Sequence, residues 1–137
     1  MAHHTVEVVY ASARSVPALF AELADHDRLR RVFGVPVRRI RDGEGDLNGV
    51  GSVRRMGVGL LKLEETVTAL QPDRSIEYRI TRGGGPVRNH RGRLEFSSVG
   101  GGARVIWTID YDSLPIVGTA LQAVLSRVIK RGLGKLG

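Results

Sequence analysis

HRGRLEFSSVGGGARVIWTIDYD at residues 90–112, followed by PIVGTALQAVLSRVIKRGLGKL at 115–136, decides the fold of this 137-residue chain. In the first part apolar residues recur at every second position. Gly92, Leu94 and Phe96 oppose Arg91, Arg93 and Glu95; past Gly100-Gly101-Gly102, Val105, Trp107, Ile109 and Tyr111 oppose Arg104, Thr108 and Asp110. A period of two with one wet and one dry side belongs to antiparallel strands covered on one face only. From Pro115 the period lengthens: Val117, Leu121, Val124, Leu125 and Val128 share one face of a helix, while Lys130, Arg131 and Lys135 suit the negative end of its dipole. The helix is the cover that the dry face needs.

Working toward the N-terminus, the same alternation recurs. Ile76, Tyr78 and Ile80 alternate with Glu77 and Arg79 before the turn Gly83-Gly84-Gly85-Pro86, and Leu61 to Leu70 sets Leu61, Leu63, Val67 and Ala69 against Lys62, Glu64, Thr66 and Thr68. Strands are also predicted over Val50 to Val58, ended by a turn at Gly59, and over Val37 to Arg41. Thr5 to Ala11 is a strand with Val6, Val8 and Tyr10 on one face. Ser15 caps a short helix whose first turn admits Pro17 and whose Val16, Phe20 and Leu23 align; a second short helix over Arg28 to Phe33 stops at Gly34. The predicted order is one strand, two short helices, six strands and a long helix, an α+β domain spanning 1–137.

Composition narrows the function classes. With no cysteine there is neither a thiolate nucleophile nor a disulfide framework, and no leader-like segment opens the sequence, so a cytoplasmic location is expected. Leu114 to Leu125 is interrupted by Pro115, Gly118 and Gln122 and is too short to span a bilayer. The net charge of +7 favours anionic partners, but the arginines are spread over every segment without interleaved aromatics, which argues against nucleic acid. Arg127, Lys130, Arg131 and Lys135 leave peripheral docking on a membrane or an acidic partner as one reading. No Gly-x-Ser-x-Gly elbow and no His-Glu-x-x-His motif occurs, and Asp25-His26-Asp27 is a helix break rather than a metal cluster. Neither a metal nor a cofactor is expected, and His3 and His4 receive no role.

Gly49-Val50-Gly51-Ser52-Val53-Arg54, Glu65-Thr66-Val67 followed by Pro72, and Arg91-Gly92-Arg93 leading through Gly101-Gly102 to Val105 and Trp107 resemble the polyketide cyclase/dehydrase and lipid-binding branch of the START-like (SRPBCC) superfamily. The resemblance covers essentially the whole chain. It implies a helix-grip fold, in which a curved seven-stranded antiparallel sheet wraps a long C-terminal helix around a ligand cavity. Plant abscisic-acid receptors are distant members; their pocket glutamate resembles Glu65 and their asparagine-tyrosine pair resembles Asn89-His90. Their gate and latch sequences are absent from Gly57-Val58-Gly59-Leu60 and from the triglycine loop, so a hormone switch is not implied.

Strand parity supplies a pocket independently of that resemblance. The dry faces carry Arg54, Met56, Val58, Leu63, Glu65, Val67, Tyr78, Ile80, His90, Leu94, Trp107, Ile109 and Tyr111, and the facing helix offers Val117, Leu121 and Val124. One helix cannot fill a strongly curved sheet along its whole length, and the remainder is a cavity for an apolar small molecule such as a lipid, polyketide or isoprenoid. Burying about 300 Å² of ligand apolar area provides about 7 kcal/mol before ordering costs.

Glu65 stands beside Leu63 and Val67, where an unpaired carboxylate is costly. It is either the partner of an arginine such as Arg54 or, with His90, an acid-base pair for polyketide cyclisation. His90 is alternatively a hydrogen-bonded core histidine. Binder and aromatase/cyclase-like enzyme are therefore the leading alternatives.

Overall fold

All seven strands join one antiparallel sheet in the order β1-β7-β6-β5-β4-β3-β2, numbered along the chain. They are β1 (Ala2–Ser12), β2 (Val37–Arg41), β3 (Val53–Met56), β4 (Leu63–Gln71), β5 (Ser75–Gly83), β6 (Arg88–Val99) and β7 (Gly102–Ser113). Between β1 and β2 run α1 (Val16–Ala24), a 3-10 turn at His26–Arg28 and α2 (Arg30–Phe33), and α3 (Pro115–Gly134) follows β7. This is the helix-grip arrangement: the curved sheet closes on α3, with the short helices after the first strand. The computed structural model describes residues 1–59 and 62–137; Leu60 and Leu61, read from the sequence as part of a turn and the start of a strand, lie outside the described residues.

The local signals act as read. The Ser15 hydroxyl accepts from the Ala18 amide at 3.3 Å, Pro17 sits in the first turn, and Gly34 ends α2 in the left-handed region. Inward residues of β1, β7 and α1, among them Val6, Val8, Leu19, Leu23, Val105 and Trp107, form the dry core.

Several expectations need correction. The strand read over Val50 to Val58 is only Val53–Met56, because the chain turns at Gly57 (φ 89°), whose amide bonds the Pro36 carbonyl; Val58 is consequently exposed rather than inward. In β4 the register with β5 shifts between Val67 and Ala69, so Leu70, not Ala69, comes opposite the buried Ile76. His4 is buried, stacks on Tyr111 with centroids 5.4 Å apart and is part of β1, while His3 meets Asp110 and Asp112.

The buried stripe of α3 is rotated from the predicted one. Gly118, Ile129, Gly132 and Leu133 are buried, Val117, Leu121, Leu125 and Val128 are half-buried, and Val124 is exposed. Close approach explains the rotation, since a Cβ on Gly132 would collide with the backbone of Val32 and one on Gly118 with the His4 ring. Gln122 then donates to the Thr5 carbonyl at 2.6 Å, covering part of the free edge of β1.

Candidate functional site

Arg54 and Glu65 are direct cross-strand neighbours on β3 and β4, both pointing inward and both buried. Arg54 donates from Nε at 2.8 Å and from Nη2 at 2.7 Å, both to Oε1 of Glu65. Its third nitrogen, Nη1, lies 3.2 Å from Nδ1 of His26, and its guanidinium carbon stands 4.5 Å over the Tyr78 ring. An arginine only donates, so His26 Nδ1 accepts and the ring proton sits on Nε2, which donates to the Ser52 hydroxyl at 2.7 Å. The polar chain Ser52–His26–Arg54–Glu65 thus crosses the floor of an otherwise apolar face.

Burial, with Arg54 and Arg39 adding to it, lowers the His26 pKa from 6.5 to about 3. The folded protein therefore holds His26 neutral while the unfolded chain protonates it. The resulting stability is fully present above about pH 6.5 and is lost as the pH falls toward 3, at about 1.4 kcal/mol per unit. Urea unfolding followed from pH 7 down to about 4.5, above the main carboxylate range, is expected to show a steady loss that His26→Gln flattens. A wild-type stability constant over that interval would overturn the assignment.

His90 reaches the same place by a bulge. The β6–β7 register shifts between Arg88 and Arg91, with Asn89 at φ 51°, and the β5–β6 ladder stops at Tyr78 opposite Gly92. Where the ladder has parted, the Ile80 amide donates to His90 Nδ1 at 3.1 Å. A side chain replaces a missing strand partner. Nε2 then carries the proton and faces Glu65 Oε2 at 3.8 Å. Burial lowers the His90 pKa against the opposing pull of Glu65, so its neutral form dominates at neutral pH. Asn89 turns the other way and donates to Asp112 at 2.8 Å.

Tyr78 underlies the cluster. Its ring lies against Gly92, where a Cβ would come within 2.1 Å of the ring's Cζ, and Trp107 Nε1 donates to its hydroxyl at 2.8 Å. Among the other residues read from parity, Met56, Val67, Leu94, Ile109 and Tyr111 are buried, with the Tyr111 hydroxyl donating to the Gly118 carbonyl at 2.7 Å. Leu63, Ile80, Val117 and Leu121 are half-buried, whereas Val58 and Val124 are exposed and stand apart. Sequence reading missed His26 and Ser52, because a histidine after a helix break carries no periodicity. It also missed Ile129 and Leu133, although Leu121, Leu125, Ile129 and Leu133 form a ladder at every fourth position. Among the described residues no group of three His, Cys, Asp or Glu side chains is placed to hold a metal ion.

The sequence profile of the polyketide cyclase/dehydrase and lipid transport family matches residues 3–137. The chain belongs to that family. No curated protein matches it. Solved structures extend the family's fold: an aromatase/cyclase, ZhuI, from a Streptomyces species superposes with TM-score 0.78 at 18% identity, covering 98% of this chain and 94% of that one. CalU16 from Micromonospora echinospora gives 0.72 at 13% identity over 98% and 76%, and Ara h 8.0201 gives 0.71 at 18% identity over 98% of both chains. At such identities the likeness is one of fold. In this chain the inner face of the fold carries the buried Arg54–Glu65 pair with His26 and His90 on its two sides.

Proposed function

We propose that the protein binds a hydrophobic small molecule carrying a hydroxyl or carbonyl group, a lipid, polyketide or isoprenoid, between α3 and the inner face of β3 to β6. The observation that carries this reading is the pair Glu65 Oε2 and His90 Nε2, which face each other at 3.8 Å and have no hydrogen-bond partner among the described residues. A ligand hydroxyl between them donates to the carboxylate and accepts from the imidazole, satisfying both atoms at once. Leu63, Ile80, Val117, Leu121 and Leu125 are apolar yet only half-buried, and they supply contact surface for the rest of the ligand.

Native mass spectrometry of gently purified protein, with a panel of lipids and polyketides, is expected to find a bound apolar species. Leu121→Trp enlarges a half-buried side chain of α3 that packs against the core and is expected to weaken binding at least about tenfold while the fold is retained. No bound species in the wild type, or unchanged binding in a folded Leu121→Trp protein, would remove the basis for the reading.

A catalytic reading rests on the same two atoms, with Glu65 Oε2 taking the proton from carbon and returning it to the departing hydroxyl, and His90 Nε2–H donating a hydrogen bond to the developing oxyanion during polyketide ring closure and dehydration. Glu65→Gln and His90→Ala would then abolish turnover of a polyketide that still binds. Unchanged turnover would assign the pair to binding alone.

A further inference from the structure

The β2–β3 hairpin places two arginine pairs in register: Arg39 opposite Arg54 and Arg38 opposite Arg55. Like charges directly opposite in an antiparallel pair are destabilising. The first pair is compensated from within the fold, since Arg54 holds Glu65 while Arg39 meets Asp42 at 2.9 Å and Asp27 at 3.8 Å. The second pair is not compensated in the same way. Arg55 has Glu64 at 3.2 Å, and Arg38 forms no ion pair among the described residues.

Arg38 and Arg55 line a surface groove of about 610 Å³, joined there by Arg30 from α2 and by Lys62, with Val37 on the wall. Arg30 and Lys62 also form no ion pair among the described residues. The one carboxylate lining the groove, Asp27, is already engaged: it accepts from the Arg39 amide at 3.0 Å as well as pairing with its guanidinium. Four cations thus converge on one concave surface, on a side of the hairpin separate from the buried Arg54–Glu65 cluster.

From this convergence we propose that the groove is a binding site for a phosphorylated anion, a diphosphate or a phosphomonoester, held by Arg30, Arg38, Arg55 and Lys62. Two arginines in cross-strand register present parallel N–H donors to phosphate oxygens, and the added charge removes the repulsion between them. The groove volume accommodates an organic group attached to the phosphate. The site is independent of the interior ligand and holds whether or not that ligand is found.

The test uses inorganic pyrophosphate as probe at low salt, followed by amide chemical shifts on the whole chain. Saturable shifts are expected at Arg30, Val37, Arg38, Arg55, Gly57 and Lys62. Arg30→Gln/Arg38→Gln is expected to weaken binding at least about tenfold, whereas Arg127→Gln/Lys130→Gln on α3, with the same change of charge, is not. Both doubles alter exposed side chains, and removing Arg38 from its like-charged neighbour is expected to leave the Tm unchanged or higher. A parallel arm measures cosedimentation with phosphatidylcholine vesicles containing phosphatidic acid. Binding of pyrophosphate alone identifies a soluble phosphorylated ligand, and groove-dependent binding in both arms identifies a lipid headgroup. No saturable binding in either arm, or equal weakening by the two double variants, would overturn the site.

Discussion

Replacing Arg54 by methionine is expected to remove about 3–5 kcal/mol of folding stability, a large part of what a domain of this size possesses. The loss comes less from a missing attraction than from what stays behind. Glu65 is left as a buried carboxylate without its two donors, His26 Nδ1 loses Arg54 Nη1, and the Tyr78 ring loses the cation above it. The double variant Arg54→Met/Glu65→Met is expected to recover most of the loss, because two apolar side chains in register make no demand for partners. Urea unfolding of both variants decides the matter. A double variant as unstable as the single one would mean that packing around Arg54, rather than the stranded charge, sets the cost.

Gly92→Ala is expected to cost about 3–5 kcal/mol for a different reason. The added methyl group must displace the fully buried Tyr78 ring, and moving that ring breaks the hydrogen bond that Trp107 donates to it. Trp107 is the only tryptophan, so its fluorescence and near-ultraviolet circular dichroism report the displacement directly, alongside a fall in Tm. Tyr78→Phe keeps the ring on Gly92 and is expected to cost only the hydrogen bond, about 1–3 kcal/mol with Trp107 Nε1 left unpaired. A Gly92→Ala protein within about 0.5 kcal/mol of wild type, with an unchanged tryptophan signal, would show that the ring is free to move.

Both expectations concern residues that strand parity already brings together. Glu65 stands out beside Leu63 and Val67 because a charge interrupts an apolar face, and Arg54 as its partner is one of the two readings left open by the sequence. Tyr78, Gly92 and Trp107 share the dry face by counting in twos. The pattern of the last two strands and of α3, with seven strands in all and two short helices after the first, is likewise written in periodicity and turn residues, which are local properties. Membership of the cyclase/dehydrase and lipid transport family agrees with that reading.

What sequence periodicity does not carry is the consequence of contact. Parity makes Val58 inward, but it cannot register that the chain leaves the sheet at Gly57. A bulge at Asn89-His90 moves a side chain into the place of a strand partner, and only the divergence of β5 from β6 creates the unpaired Ile80 amide that His90 satisfies. The helical stripe was rotated toward Ile129 and Leu133 by close approaches at Gly118 and Gly132, whose partners, His4 and Val32, lie more than a hundred residues away along the chain or close to it. By itself, then, the sequence determined the kind, order and wet and dry faces of the elements. The tertiary structure decided that His26 joins Arg54, that Glu65 keeps one oxygen open toward His90, and that four cations meet in one groove. Alternation is a property of neighbouring residues, whereas pairing, burial and electrostatic compensation are set by side chains that the fold brings together from distant parts of the chain.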